Sequence, residues 1–207
     1  MSTPPNPPPR TVVFDLGGVL IDWNPRYLYR KLIADEATME DFLARVCTQD
    51  WNERQDAGRP FAEGVALLQA RHPDKASLIA AYFERWPEML GGAIPGTVDL
   101  LGRLRDRGTP LYALTNWSAE TFPHARERFD FLNIFQGIVV SGEVGTLKPE
   151  RDFFQILFDR HGIVPDEAVF IDDAPKNVAG ARAAGMRAVH FTGPEALERE
   201  LARMGLL

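Results

Sequence analysis

The sequence predicts an α/β fold in which a parallel sheet is interrupted, after its first strand, by a bundle of helices. Three observations carry that expectation. Between Pro95 and Phe191, short apolar runs alternate with helical stripes, the pattern of parallel strands joined by right-handed helical crossovers. Residues 23–89 show helical periodicity with no convincing strand. Two apolar runs, Val12-Val13-Phe14-Asp15 and Phe170-Ile171-Asp172-Asp173, end abruptly in carboxylates.

The elements follow in order. Residues 11–16 are a continuous apolar run with β-branched members, as expected of a strand covered on both faces. Tyr27, Leu28, Lys31 and Leu32 mark a first inserted helix. Met39, Phe42, Leu43, Val46 and Cys47 recur at helical spacing and mark a second. Residues 51–59 are polar and aromatic and read as a loop, with Gly58 permitting a tight turn. Pro60 opens a third helix carrying Phe61, Val65, Leu67 and Leu68. Leu78, Ile79, Tyr82, Phe83 and Trp86 mark a fourth, stopped by Pro87 and Gly91-Gly92. Four such helices can bury their stripes on one another. Beyond Pro95 come a helix through Val98, Leu101 and Leu104, a strand at 111–114, a helix near 119–129 and a strand at 138–140. A helix carrying Phe153, Phe154, Leu157 and Phe158 is opened by Pro149 and closed by Gly162. A strand at 168–171, a helix ending at Gly185 and a strand at 187–191 complete the series.

At 207 residues the chain suits one domain carrying an insertion. The expected division is a proline-rich, disordered or extended tail at residues 1–10, an α/β core at 11–22 and 93–207, and a helical cap at 23–92. A net charge of -6 without a basic run argues against a nucleic-acid partner. Cys47 is the only cysteine, so no intrachain disulfide can form, and a reducing compartment fits. No apolar run approaches the ~20 residues that span a bilayer. The expectation is a cytoplasmic protein with no membrane partner, a monomer or small homo-oligomer.

A strand that delivers carboxylates from its C-terminal end builds a site at the sheet rim, where open α/β folds bind ligands. Asp15 on one strand end, with Asp172 and Asp173 on another, could share a hard divalent cation such as Mg2+. With Thr115 ending Leu111-Tyr112-Ala113-Leu114-Thr115-Asn116 and Lys148 in Leu147-Lys148-Pro149-Glu150, these residues form an ordered set. The chain resembles the haloacid dehalogenase superfamily over nearly its whole length after the tail. The resemblance implies a core of strand order 3-2-1-4-5 with a helical cap, and a hydrolase acting on a small phosphorylated substrate. It implies Asp15 as nucleophile and Thr115 with neighbouring amides as phosphoryl ligand. It implies Lys148 as the balancing cation, and Asp15, Asp173, the Gly17 carbonyl and Asp172 (directly or through water) as magnesium ligands. It also implies Asn177 as a support for the metal site and Lys148. Asn116 and Trp117 directly follow Thr115 and are read as substrate contacts.

One position departs from the family pattern. Its phosphatases usually carry a second aspartate two residues after the nucleophile, as general acid and base; here that residue is Gly17. Loss of such help typically costs ~10²–10⁴ in rate, least for leaving groups that depart readily. A magnesium-dependent phosphatase acting through an aspartyl-phosphate is the reading the residues favour, with a sugar phosphate among the candidate substrates. A 2-haloacid dehalogenase would use the same nucleophile without metal, but Asp172-Asp173 would set like charge beside its anionic substrate. A metabolite-binding protein weakened in turnover is the remaining alternative.

Overall fold

In the computed structural model residues 8–207 are described. Among the described residues seven strands occur: β1 (Thr11–Phe14), β2 (Ile21–Trp23), β3 (Leu90–Ala93), β4 (Leu111–Thr115), β5 (Gly137–Val140), β6 (Ala168–Asp172) and β7 (Arg187–His190). Five of them form one parallel sheet in the order β5-β4-β1-β6-β7. Numbered among themselves along the chain, these five read 3-2-1-4-5. β1 is central, and Val12, Val13 and Phe14 are fully buried, which is why this run shows no polar alternation. The pleat nevertheless sorts them. Val13, Leu114 and Phe170 join one cluster with Phe153, Phe154 and Leu157. Val12, Phe14 and Ile171 join a second cluster on the opposite face, which continues into the inserted helices through Tyr29, Trp51 and Tyr82.

Those inserted helices are α1 (Arg26–Tyr29), α2 (Glu36–Arg45), α3 (Gln49–Asp56), α4 (Phe61–Arg71) and α5 (Ala76–Glu84). The remainder are α6 (Pro95–Asp106), α7 (Phe122–Arg128), α8 (Ser141–Val144), α9 (Arg151–His161), α10 (Pro175–Ala183) and α11 (Pro194–Arg203). Gly162 closes α9 in a left-handed conformation, as the sequence predicts.

Three elements differ from the sequence reading. The segment 49–56 is helix α3 rather than loop. Thr48 caps it by accepting from the Trp51 N–H, and its polar composition hides it from a search for apolar stripes. β2 and β3 form an antiparallel ribbon at the two ends of the insertion, where the sequence shows only a glycine stop. Gly91 lies there because a Cβ would stand 2.4 Å from Asp22 Oδ2 and 2.7 Å from the Tyr27 ring. A final helix, α11, packs against α6. At the start of the described chain Pro9 is buried and the Arg10 N–H donates to the Glu167 carbonyl at 2.7 Å, so ordered structure begins before Thr11. The expectation for the first seven residues lies outside the described chain. Among the described residues no helix is long and apolar enough to cross a membrane.

Candidate active site

The chain order of the sheet reverses at β1, whose neighbours β4 and β6 run out on either side. A crevice opens at such a switch point, beyond the C-terminal strand ends. Asp15 follows β1, Thr115 ends β4 and Asp172 ends β6. Three residues far apart in sequence are therefore delivered to one rim by strand pairing alone.

Lys148 organises the rim from below. Its side chain is fully buried, and Nζ donates to Asp15 Oδ1 at 2.8 Å and Asp172 Oδ2 at 2.7 Å. Burial opposes its charge, but Asp15 and Asp172 more than offset that and hold Lys148 above the usual lysine range. The Asn116 side chain clamps the Lys148 backbone reciprocally, accepting from its N–H at 2.8 Å and donating to its carbonyl at 3.0 Å. Asn116, expected at the substrate, thus uses its carboxamide to position the lysine.

Asp172 is similarly committed. Its Oδ1 accepts from the Ala174 N–H at 2.8 Å and Asn177 Nδ2 at 3.1 Å; its Oδ2 accepts from Lys148 and again from Asn177 Nδ2 at 3.1 Å. Three donors thus make four contacts with its two oxygens, and this carboxylate orients Lys148. Asn177 reaches Lys148 only through it.

Asp15 and Asp173 differ. The Leu16 N–H and Lys148 both bind Asp15 Oδ1, leaving Oδ2 without a partner among the described residues. Asp173 is exposed and packs over Gly18, where a Cβ would stand 2.3 Å from Asp173 Oδ2 and φ is +73°. Only glycine satisfies both constraints. Burial pushes the Asp15 carboxyl up to about 8, with Lys148 pulling it down and Asp172 and Asp173 pushing it up. Burial and Asp172 also raise Asp173.

Oxygens of Asp15, Asp172 and Asp173 lie within 4.8 Å of one another. If all three carboxylates ionise against one ammonium, two negative charges are in excess; a divalent cation would offset the repulsion that helps raise Asp15 and Asp173, and their oxygens are hard donors of the kind magnesium takes. The cluster of Asp15, Asp172 and Asp173 therefore fits a divalent cation. Thr115 is 1% exposed and its hydroxyl has no partner among the described residues, an orphan that a phosphoryl oxygen would satisfy.

Above this rim lies a cavity of about 290 Å³. Asp15, Gly17, Asp173 and Asn177 line it, as do Trp117 and Trp23. Trp51 instead packs inside the helical bundle, 5.0 Å from Tyr82, with its indole N–H on the Gly64 carbonyl. Arg45 and Arg54 border a separate groove. The sequence reading missed the wall formed by Asn52 and Asp56 of α3 and by Trp86. The available signal was Thr48 as a cap, with Asn52 and Asp56 one turn apart on the same helix face.

A family model described as haloacid dehalogenase-like hydrolase matches residues 9–185. Sesquiterpene phosphatase astK of Aspergillus oryzae is 27% identical over 94% of this chain and 96% of its own length. Phosphoserine phosphatase of Thermus thermophilus is 32% identical, over 80% of this chain and 68% of that protein. Among solved structures, the HAD family enzyme bt-2542 of Bacteroides thetaiotaomicron, in complex with magnesium and inorganic phosphate, superposes with a TM-score of 0.66. It is 25% identical, and the match covers 89% of this chain and 95% of that one. A fold with this topology, four motif residues gathered at its switch point and a family match across most of the chain lead to one assignment: the protein belongs to the haloacid dehalogenase-like hydrolases.

Proposed function

We propose that this hydrolase is a magnesium-dependent phosphatase that releases phosphate from a small phosphorylated metabolite through an aspartyl-phosphate on Asp15. One observation supports this most directly. Asp15 is held by Lys148 through one oxygen and presents the other, free, at a cavity beside the uncommitted carboxylate of Asp173. Bound magnesium would supply a positive centre between the nucleophile and the phosphoryl oxygens, offsetting the repulsion between two anions.

The chain's own residues do the rest. Asp15 attacks phosphorus, splitting one difficult displacement into two. Lys148 stabilises charge on Asp15 and on the phosphoryl group as it transfers, and Asp172, Asn177 and Asn116 hold the ammonium in place so that no reorganisation is needed during reaction. Thr115 orients a phosphoryl oxygen. Residues 23–92 act as a cap whose α3 and Trp86 close over the substrate and exclude water. The wall of Trp23, Trp86 and Trp117 suits a leaving alcohol with a ring or an apolar face, a sugar or a hydrocarbon. The names of the phosphatase relatives and the magnesium and phosphate of the bt-2542 complex point the same way. The acidic pair weighs against halide displacement.

The test is phosphate release from aryl, acyl and sugar phosphates, with magnesium and with EDTA, beside halide release from 2-chloropropionate. Magnesium-dependent phosphate release that disappears in Asp15→Asn is the expected result. Halide release that survives EDTA would overturn it.

A further inference from the structure

We propose that Asp56, on the cap helix α3, is the general acid and base of this site, supplying from the cap what Gly17 does not supply from the core. This rests on the phosphatase reading above. As Asp15 attacks phosphorus and the bond to the leaving oxygen breaks, the Asp56 carboxyl gives that oxygen its proton. In the second step water attacks the aspartyl-phosphate and gives its proton to the Asp56 carboxylate. Phosphate leaves, and both residues return to their starting states.

Asp56 lines the same cavity as Asp15 and Asp173. It is 7% exposed, yet among the described residues it makes no ion pair. Its Oδ2 accepts from Asn52 Nδ2 at 2.9 Å, and the Ser118 amide also donates to the carboxylate. Its backbone is tied to the core, since Ser141 Oγ of α8 donates to the Asp56 carbonyl at 2.5 Å and accepts from the Trp117 N–H at 2.9 Å. The side chain is therefore held at the rim by the core itself.

A buried carboxylate with only amide donors is a costly way to fasten two elements together. An asparagine in its place would keep an acceptor for the same donors. What the carboxyl adds is a proton that can move. Burial pushes it up to about 7, the charge of Glu53 adds to the rise, and the Ser118 amide opposes it. The other groups facing it are Tyr82 on α5 and, lining the same cavity, Asp15, Asp173 and Lys176, the last paired with Glu53 at 2.9 Å. A group half-protonated near neutrality serves as acid in one step and base in the next.

Gly17 completes the case. A Cβ built there meets no atom within 4 Å, and its φ is outside the left-handed region. Nothing steric keeps a carboxylate from that position, so its absence is consistent with the function residing elsewhere.

The experiment compares 4-nitrophenyl phosphate, whose leaving group needs no proton, with phenyl and 4-methylphenyl phosphate, whose leaving groups do. The quantity read is kcat/KM with magnesium, which reports transfer to Asp15. In Asp56→Asn the expected loss is ~10²-fold or more for the phenyl esters and under ~10-fold for the nitrophenyl ester. Adding Gly17→Asp to that variant should restore the phenyl esters in part. Equal losses on all three esters would overturn the proposal and leave Asp56 a fastening residue. Wild type without phosphate release would overturn the phosphatase reading itself. Should Asp56→Asn fail to fold, the wild-type pH profile decides. The ratio of phenyl to 4-nitrophenyl phosphate kcat/KM should fall as pH rises through about 7, where the acid form is lost, since ionisation of Asp15 is common to both esters and cancels in the ratio. Coincident profiles would overturn the proposal.

Discussion

The two walls of the cavity are built on opposite plans. On the core side most polar groups are already satisfied by one another: Lys148 by two carboxylates, Asp172 by three donors, Asn116 by both ends of one peptide unit. The other wall, where the cap and the loop after β4 meet, carries orphans. The indole N–H groups of Trp23 and Trp117 and the Asn52 carbonyl oxygen are buried without a partner among the described residues. The core thus resembles a preorganised reaction site, whose geometry is complete before substrate arrives. The opposite wall resembles a recognition surface, whose unsatisfied groups gain partners from a ligand and penalise one that cannot provide them. Asp15 Oδ2, the Thr115 hydroxyl and Asn177 Oδ1 are the exceptions at the core rim.

Substitutions should separate the two plans, with the largest effects at the core rim. Asp15→Asn should lower magnesium-dependent hydrolysis of 4-nitrophenyl phosphate by about 10⁴-fold or more, since it removes the attacking group. Lys148→Met should cost ~10²–10³ in kcat. It should also lower stability by about 3–5 kcal/mol, because Asp15 and Asp172 stay buried without their cation. Urea unfolding without magnesium would measure the second effect. Loss of activity with unchanged stability would contradict the ion triad described above.

Intermediate effects belong to the positioning groups. Asn116→Ala removes both hydrogen bonds to the Lys148 peptide unit and should cost about 1–3 kcal/mol, read as a lower urea midpoint. The smallest effect should be on the opposite wall. Trp86→Leu should raise KM by ~10-fold for a ring-bearing substrate with little change in kcat, the signature of lost uniform binding. A fall in kcat alone would place Trp86 on the reaction side and erase the contrast between the walls.

Much of the core rim was legible in the chain. Asp15, Thr115 and Asp172 terminate apolar runs, and a parallel sheet brings such ends together whatever the loops do. Lys148 and Asn177 were legible only beside that set, since a single lysine before a proline has many uses. The division of labour was not legible. Asp172 and Asp173 are adjacent, but strand geometry turns one inward to three donors and leaves the other exposed over Gly18. That Asn116 clamps the Lys148 peptide unit as well as lining the cavity was not legible either. Helix α3 escaped notice because its burial comes from the surface it lies on rather than from an apolar stripe of its own. Trp51 was noticed for its aromaticity, yet the packing of Phe61 and Tyr82 draws it into the bundle.

The sequence by itself determined the α/β class, the place of the insertion and the residues at the strand ends, because hydrophobic periodicity and chain punctuation are local properties. Only the tertiary structure decided which carboxylates remain free, which side chains position Lys148, and which cap residues face Asp15. Those outcomes depend on the pairing of lone pairs and donors from segments distant in sequence. No local pattern encodes that pairing.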